Sequence, residues 1–529
     1  MFNYISHFPY SQPREEQTKA IKFALDQFIN KNKRFVIVEA GTGVGKSAIG
    51  ITIGRYLSSL DRSGTYYLTT QKILQAQYMK DFKKSGLLSL KSSTNYRCKY
   101  YKQKTCAEAR KELKVSSDGK FKMCCMTECR YIKDKSNFID GTDGITNFPY
   151  FLAETNYAGN LKKRGLLVVD ECHNVELQLS SFVEVTISEY FASNVLKLKV
   201  PDMTTQYQVY KWVEQIYFPK LLAAKKHYEN QIEKLGLKSR MKDFLKISQQ
   251  FDMLNKHSCK VERFVKVYKK DNWVMNETAT ETRNTRKFEF KPIDIGPFSE
   301  SNLFAGGRRI LLMSATIMNK DAFCEGLGIP IDECAFITLP SPFPIKNRPI
   351  IVSPIAKMGH RDIEAGLPKI AAAVKEILNQ HKKEKGIIHC HSYKVANYIK
   401  KNIRSRRLLI HDSTNRDKIL AKHIDDPRPT VLLSPSMAEG VDLKGEASRF
   451  QIICKIPYPY LGDKLVKKRM NKWKWWYPLQ TAKIIVQSVG RSVRTADDHA
   501  VTYILDAGWN YFFMKNKDIF PDDFKRCVL

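Results

Sequence analysis

The residues best suited to do chemistry lie in three stretches far apart in the chain. The first is Ala40-Gly41-Thr42-Gly43-Val44-Gly45-Lys46-Ser47. Glycines at this spacing let backbone N–H groups converge on a polyphosphate, with Lys46 placed for the β- and γ-phosphates and Ser47 for Mg²⁺. Ala40 stands at the first glycine position and is small enough to serve there. The second stretch is Asp170-Glu171-Cys172-His173-Asn174. Here Asp170 is expected to bind Mg²⁺, directly or through water, and Glu171 to polarise an attacking water. The third is Gln487-Ser488-Val489-Gly490-Arg491-Ser492-Val493-Arg494. A helix there puts Gln487, Arg491 and Arg494 on one face. Guanidinium groups so placed can cross a cleft to a γ-phosphate. Each stretch alone has a plain structural explanation: a glycine turn, a solvated strand end, a basic helix. Their conjunction points to nucleoside triphosphate hydrolysis.

Chemistry of this kind needs strands that end at the site. Phe35-Val36-Ile37-Val38 reads as a buried parallel strand running into the glycine loop, and an amphipathic helix follows it. Further buried strands are expected at Leu166 to Val169, ending in Asp170-Glu171, and at Arg309 to Met313, ending in Ser314-Ala315-Thr316. Thr65 to Thr70 reads as another strand, and Thr18 to Phe28 and Gln71 to Phe82 as helices. Upstream of the loop, Arg14 and Gln17 are types that can read an adenine edge. Past the linker-like Ser341-Pro342-Phe343-Pro344 a second α/β set begins, with strand-like runs at 386–390, 407–410, 430–433, 451–456 and 500–505. It also holds Glu439-Gly440-Val441-Asp442-Leu443, in which Gly440 and Asp442 are expected to face the nucleotide.

Lysine and arginine number 88 against 54 acidic residues, a net charge of +34, and the basic residues recur along the whole chain. A polyanionic partner follows, most naturally nucleic acid. No apolar run is long enough to span a bilayer, and the first residues form no signal peptide. A cytoplasmic protein is expected, nuclear in a eukaryotic host. The 12 cysteines are then no disulfide framework. Five crowd together: Cys98, Cys106, Cys124, Cys125 and Cys129. Four of them, with one of Cys124 and Cys125 left out, can ligate a metal centre that holds together a stretch too poor in apolar residues to pack alone. All-thiolate ligation suits zinc or an iron–sulfur cluster equally. A second irregular region, Val175 to Phe304, is lysine-rich and helical in pattern from Tyr207 to His257, with a return strand near Asn284 to Pro292. Late in the chain, Lys464 to Tyr477 (KLVKKRMNKWKWWY) interleaves cations with tryptophans. These either stack on bases and neutralise phosphates, or pack inward while the lysines stay wet.

Taken in order, AGTGVGKS, VVDECHN (a DEAH-like box), SAT, EGVDL and QSVGRSVR resemble the motifs of superfamily 2 helicases. The match is to the iron–sulfur branch that includes XPD and DinG. The resemblance implies two RecA-like parallel-sheet domains, with a cysteine-rich metal-cluster insertion and a helical arch-like insertion in the first. On that pattern residues 1–84, 144–174 and 305–345 form motor domain 1 with its linker. Residues 85–143 form the cluster insertion, 175–304 the arch, and 346–529 motor domain 2. The resemblance favours a four-iron–four-sulfur cluster over zinc, with Asn95 to Cys98 and Cys129 to Tyr131 as its outer ligand regions. It makes Arg14 and Gln17 nucleotide contacts, and Thr146-Asn147 and His391-Ser392-Tyr393 single-strand contacts. Cys172 replaces the usual alanine. The implied activity is an ATP- and Mg²⁺-dependent DNA helicase moving 5′→3′ on single-stranded DNA and opening forked or tailed duplexes. It would act as a monomer in repair, recombination or replication. A translocase that unwinds nothing, or a nucleic-acid-binding module with zinc and a dead ATPase, is the alternative. The short flanks before Arg14 and after the last strand suggest no fused nuclease.

Overall fold

The structure is a computed structural model that describes residues 2–70, 72–99, 101–111, 129–235, 241–279, 285–412, 414–435, 443, 445–493, 495 and 497–529. Cys124, Cys125, Gly440, Asp442 and Arg494 lie outside the described residues. In chain order the strands are β1 (Phe35–Ala40), β2 (Thr65–Thr69), β3 (Leu88–Ser89), β4 (Asp143–Asn147), β5 (Arg164–Asp170), β6 (Val185–Ser188), β7 (Trp273–Ala279) and β8 (Arg286–Pro292). They continue with β9 (Gly307–Ser314), β10 (Cys334–Leu339), β11 (Ile350–Ala356), β12 (Gly386–His389), β13 (Leu408–Ile410), β14 (Val431–Ser434), β15 (Phe450–Ile453) and β16 (Val501–Asp506).

Among the described residues these strands form two all-parallel sheets and one antiparallel sheet. The first lobe has the order β10-β1-β9-β5-β2-β4-β3, and the second β11-β16-β15-β12-β14-β13. Two such parallel sheets in succession, each with helices on its faces, are the RecA-like pair that the sequence implies. Every residue of β1 and β5 is buried, as continuous apolar strands covered on both faces must be. Side chains alternate along a strand, so β1 feeds two cores. Phe35 and Ile37 join the cluster around Leu167 and Leu312, and Val36 and Val38 the one around Ala20, Ile49 and Leu311. Helix α1 (Glu15–Ile29) closes the latter with Ala20, Ile21, Ala24, Leu25 and Phe28, a stripe of helical spacing.

The third sheet, β6-β8-β7, is antiparallel and lies within residues 175–304. In β8 the buried positions alternate (Phe288, Phe290, Pro292), the pattern of a strand with one wet face. The long helices Phe218–Leu235 and Met241–Val267 pack side by side beyond it.

Two strands carry weak sequence signals. In β11 only Ile350 is fully covered and Pro354 interrupts it, as an edge strand permits; β10 is the opposite edge of the other sheet. The expected helix over Gln487 to Arg494 is corrected. The helix Trp476–Val489 ends at Val489, with the Gly490 N–H bonded to the Val486 carbonyl. Glycine at the cap is a poor helix continuer, so Arg491 sits in the turn beyond rather than on the face that carries Gln487. Among the described residues no helix is long and apolar enough to cross a membrane.

Candidate functional site

Strand order brings the first-lobe motifs together. Strand β9 lies between β1 and β5, so Ser314 is level with Glu39 on one side and Met313 with Asp170 on the other. All three strands are parallel, so their motif-bearing ends open on one edge of the sheet, where such sheets bind ligands.

The glycine loop runs from the end of β1 to α2 (Lys46–Asp61). Gly43 and Gly45 both have φ of +87°, a conformation that side-chain-bearing residues rarely adopt. Arg14 and Gln17 hold the loop from outside. Arg14 Nη1 donates to the Gly43 carbonyl at 2.6 Å, and Gln17 Oε1 accepts from the Arg14 N–H at 2.9 Å. The Gln17 amide sits so close to Gly45 that a Cβ there would lie 2.5 Å from its Nε2. Gly41, Thr42, Lys46 and Ser47 are half-buried and Val44 is buried. Lys46 Nζ donates to the Ala40 carbonyl at 3.4 Å.

At the end of β5, Asp170 is buried and both its oxygens are engaged. Oδ1 accepts from the Glu171 N–H at 3.0 Å and Oδ2 from the Tyr78 hydroxyl at 2.8 Å. The Ser47 side chain, close by, also acts on the Tyr78 hydroxyl of α3 (Lys72–Phe82). One buried phenol is thus bonded to Asp170 and close to Ser47, the two residues expected to hold Mg²⁺. No motif marks it; it reads in sequence only as an aromatic on an amphipathic helix. Burial, then the neighbouring Glu171 charge, pushes the Asp170 carboxyl above the usual carboxylate range. Burial also pushes Glu171 up, but Lys46, the His173 hydrogen bond and Arg491 outweigh it and hold Glu171 below the usual carboxylate range. Glu171 itself has φ of +54°, a strained turn that re-aims its side chain at the loop.

A polar path leads away from Glu171. His173 Nδ1 lies 3.3 Å from Glu171 Oε2 and 2.7 Å from Ser314 Oγ. Asn174 Nδ2 lies 2.9 Å from His173 Nε2 and holds the ring in place. Ser314 Oγ accepts from the Thr316 N–H at 3.1 Å, and Thr316 Oγ1 accepts from Gln487 Nε2 of the second lobe at 3.0 Å. Glu39, buried below the loop, accepts from the Ile317 and Met318 N–H groups at 2.8 and 2.6 Å and pins the same turn. Arg491 completes the second-lobe side: its charge acts on both Glu171 and His389. The arrangement can cradle a triphosphate, neutralise it from both lobes and orient a water.

Other expected positions fare differently. Thr146 is fully buried, with its hydroxyl on the Leu90 carbonyl, and Asn147 caps the helix Phe148–Ala153. Both side chains are thus spent on the fold. Ser392 caps the helix Tyr393–Asn402, and Tyr393 is exposed. Cys106 and Cys129 bring their sulfurs to 3.7 Å, and backbone bonds from Cys98 to Lys104 and from Cys106 to Tyr96 fold the turn that carries Cys98. Among the described residues no three potential ligands converge.

The tryptophan-rich segment packs inward. Trp473 and Trp476 are buried, and Trp475 Nε1 donates to Glu325 at 2.8 Å. Arg469, also buried, pairs with Glu176 at 2.6 Å and donates to the Ile293 and Pro292 carbonyls at 2.9 and 3.4 Å. Lys472 pairs with Asp294 at 2.5 Å. This segment clasps the second lobe to the first.

Residues 10–199 match the family described as type III restriction enzyme, res subunit, and residues 375–519 the helicase C-terminal domain. A probable ATP-dependent helicase of Methanocaldococcus jannaschii is 22% identical over 98% of this chain and 95% of its own. The ATP-dependent DNA helicases DinG of Photobacterium profundum and YoaA of Escherichia coli are 25% and 24% identical over 41% and 37% of this chain. Those two matches take in 34% and 32% of the relatives' own lengths. Among solved structures, an XPD helicase superposes with a TM-score of 0.62 at 14% identity, over 96% of this chain and 99% of that one. The Xpd4 structure of S. tokodaii gives 0.58, also at 14%, over 97% and 99%.

Proposed function

We propose that this chain, an ATP-hydrolysing helicase of the XPD/DinG-like branch of superfamily 2, spends ATP on moving along single-stranded DNA and parting forked or tailed duplexes. One feature carries the proposal: the seam where Gln487 bonds Thr316 and the Arg491 charge reaches Glu171. The N–H groups of Gly41, Thr42, Gly43, Val44 and Gly45 receive the phosphates, together with Lys46. Arg14 and Gln17 set the loop beside the nucleotide. Ser47 and Asp170 fit a magnesium ion, being a hydroxyl and a buried carboxylate that the Tyr78 phenol holds in place. A magnesium ion held there would supply positive charge to offset that of the triphosphate. Glu171, kept ionised, takes the proton of the attacking water, and Arg491 offsets the charge that develops on the γ-phosphate. Arg494, Gly440 and Asp442 join the same seam in this proposal.

DNA as the substrate is supported by the net charge of +34 and by the DNA helicases among the relatives. The resemblance adds 5′→3′ movement, the domain limits given above and a role in repair, recombination or replication. Cys98, Cys106, Cys129 and one of Cys124 and Cys125 are proposed to hold a four-iron–four-sulfur cluster that ties residues 85–143 together. Zinc is the second reading. Two thiolates on one tetrahedral ion stand ~3.8 Å apart for 2.3 Å bonds, close to the 3.7 Å contact of Cys106 and Cys129. Metal analysis of anaerobically purified protein separates the two: iron with broad absorbance near ~400 nm, or colourless protein with zinc.

The deciding experiment is strand displacement on 5′- and 3′-tailed duplexes, with DNA-stimulated ATP hydrolysis measured alongside. Displacement from the 5′ tail alone, abolished with hydrolysis by Lys46→Ala, is expected. Hydrolysis without displacement identifies a translocase. Hydrolysis that is absent, or unchanged by Lys46→Ala, defeats the proposal.

A further inference from the structure

Phe343 sits between the phosphate loop and the arginine-bearing segment, and neither the motifs nor the polar path from Glu171 uses it. It belongs to Ser341-Pro342-Phe343-Pro344, the segment that leaves β10 and leads toward the second lobe. This segment lies directly on the glycine loop. A Cβ placed on Gly41 would stand 2.8 Å from Ser341 Cα, and one on Gly43 only 2.1 Å from Phe343 Cζ. The ring therefore presses on the Gly43 backbone, while Arg14 holds the Gly43 carbonyl. Its other neighbours belong to the second lobe: Phe343, Val493 and Ala500 form a small apolar cluster of their own. Val493 is two residues past Arg491, and Ala500 directly precedes β16. Phe343 is only 7% exposed, so the ring fills the gap rather than lining it. Prolines on both sides fix the backbone that carries it.

We propose that Phe343 is a positioning residue for ATP hydrolysis. Its ring is a spacer of fixed thickness that sets where Arg491 stands relative to the phosphate loop. Apolar contacts have no directional preference, but a close-packed ring cannot be compressed, and its removal lets the Val493 segment drift. Misplacing a catalytic group by about 1 Å costs on the order of 100-fold in rate. The inference rests on the hydrolytic reading of the seam and adds a residue to it.

The test compares Phe343→Ala and Phe343→Leu with wild type, in full-length protein, for kcat of DNA-stimulated ATP hydrolysis and for affinity toward a fluorescent ADP. Thermal unfolding checks that each variant folds. Phe343→Ala is expected to lower kcat about 10- to 100-fold with nucleotide affinity within about threefold, and Phe343→Leu, which keeps most of the bulk, to recover most of the rate. In an Arg491→Ala background Phe343→Ala is expected to add little further loss, since both act through one guanidinium. Unchanged kcat, a fall in affinity that accounts for the whole loss, or full additivity with Arg491→Ala overturns the inference. If Phe343→Ala fails to fold, Phe343→Leu and Phe343→Val decide by the same readings. A wild type that hydrolyses nothing defeats the functional proposal as well, whereas a hydrolysing wild type with an indifferent Phe343→Ala defeats this inference alone.

Discussion

Gln487 of the second lobe donates to Thr316 of the first at 3.0 Å, and Thr316 is two bonded residues from Glu171 along the Ser314–His173 path. Thr316→Val keeps the shape, removes the acceptor and strands a buried amide, which costs about 1–3 kcal/mol in the joined state. The joined state should then form less often. We expect DNA-stimulated hydrolysis to fall about tenfold or more while nucleotide affinity in the first lobe stays unchanged. Steady-state kinetics beside equilibrium binding checks this. Equal losses in both would mean that the bond serves only the fold.

Tyr78→Phe tests the phenol that holds Asp170 beside Ser47. The ring packs against Phe82 and Tyr67 and should stay in place. The lost hydrogen bond to a carboxylate corresponds to about 1.5–3 kcal/mol of orientation. The expected outcome is a several-fold higher Mg²⁺ concentration for half-maximal nucleotide binding, read by fluorescence titration. An unaltered Mg²⁺ dependence would confine Tyr78 to packing.

Arg469→Met should weaken the clasp between the lobes. Glu176 loses its cation, the Pro292 and Ile293 carbonyls lose their donor, and breaking a buried pair costs about 3–5 kcal/mol. Differential scanning calorimetry should show a lower transition, and the loss should persist in high salt because the pair is shielded from solvent. Exposed pairs such as Lys19–Glu15 should show no comparable effect.

Stability should fall on mild acidification. Burial holds His257 and His389 down to about 4 and His391 to about 3, with Lys260, Arg491, and His389 with Lys455 adding respectively to the effect. Unfolded, these rings bind protons near 6.5, so between pH 6.5 and 4 the unfolded chain holds more protons. Stability is therefore full above pH 6.5 and declines as pH falls toward 4, each ring contributing at most about 1.4 kcal/mol per unit. Urea midpoints at pH 7.5, 6.5 and 5.5 test it, and His257→Gln should flatten the slope.

Legibility in the sequence followed how local the cause was. The loop glycines, the Asp170-Glu171 pair and the buried strands β1, β5 and β9 declare themselves through composition and periodicity. The strand order that sets β9 between β1 and β5 does not, because neighbours in a parallel sheet are chosen by long-range packing. Tyr78 shows the same limit, since its role exists only once α3 lies against β5. The tryptophans near Arg469 admitted two environments equally until the partners Glu176, Asp294 and Glu325 were in place. Helical spacing from Gln487 to Arg494 carries no mark of where the helix stops, and Gly490 ends it at Val489.

The clasp at Arg469 has a mechanical corollary. The carbonyls it grips belong to Pro292 and Ile293, where β8 ends and the excursion that began after Asn174 returns to the first lobe. Glu176, its third partner, stands where that excursion departs. A single guanidinium thus staples both roots of the excursion to the opposite half of the motor. Were that half to turn, the pull would pass through this staple into the base of the helical outgrowth.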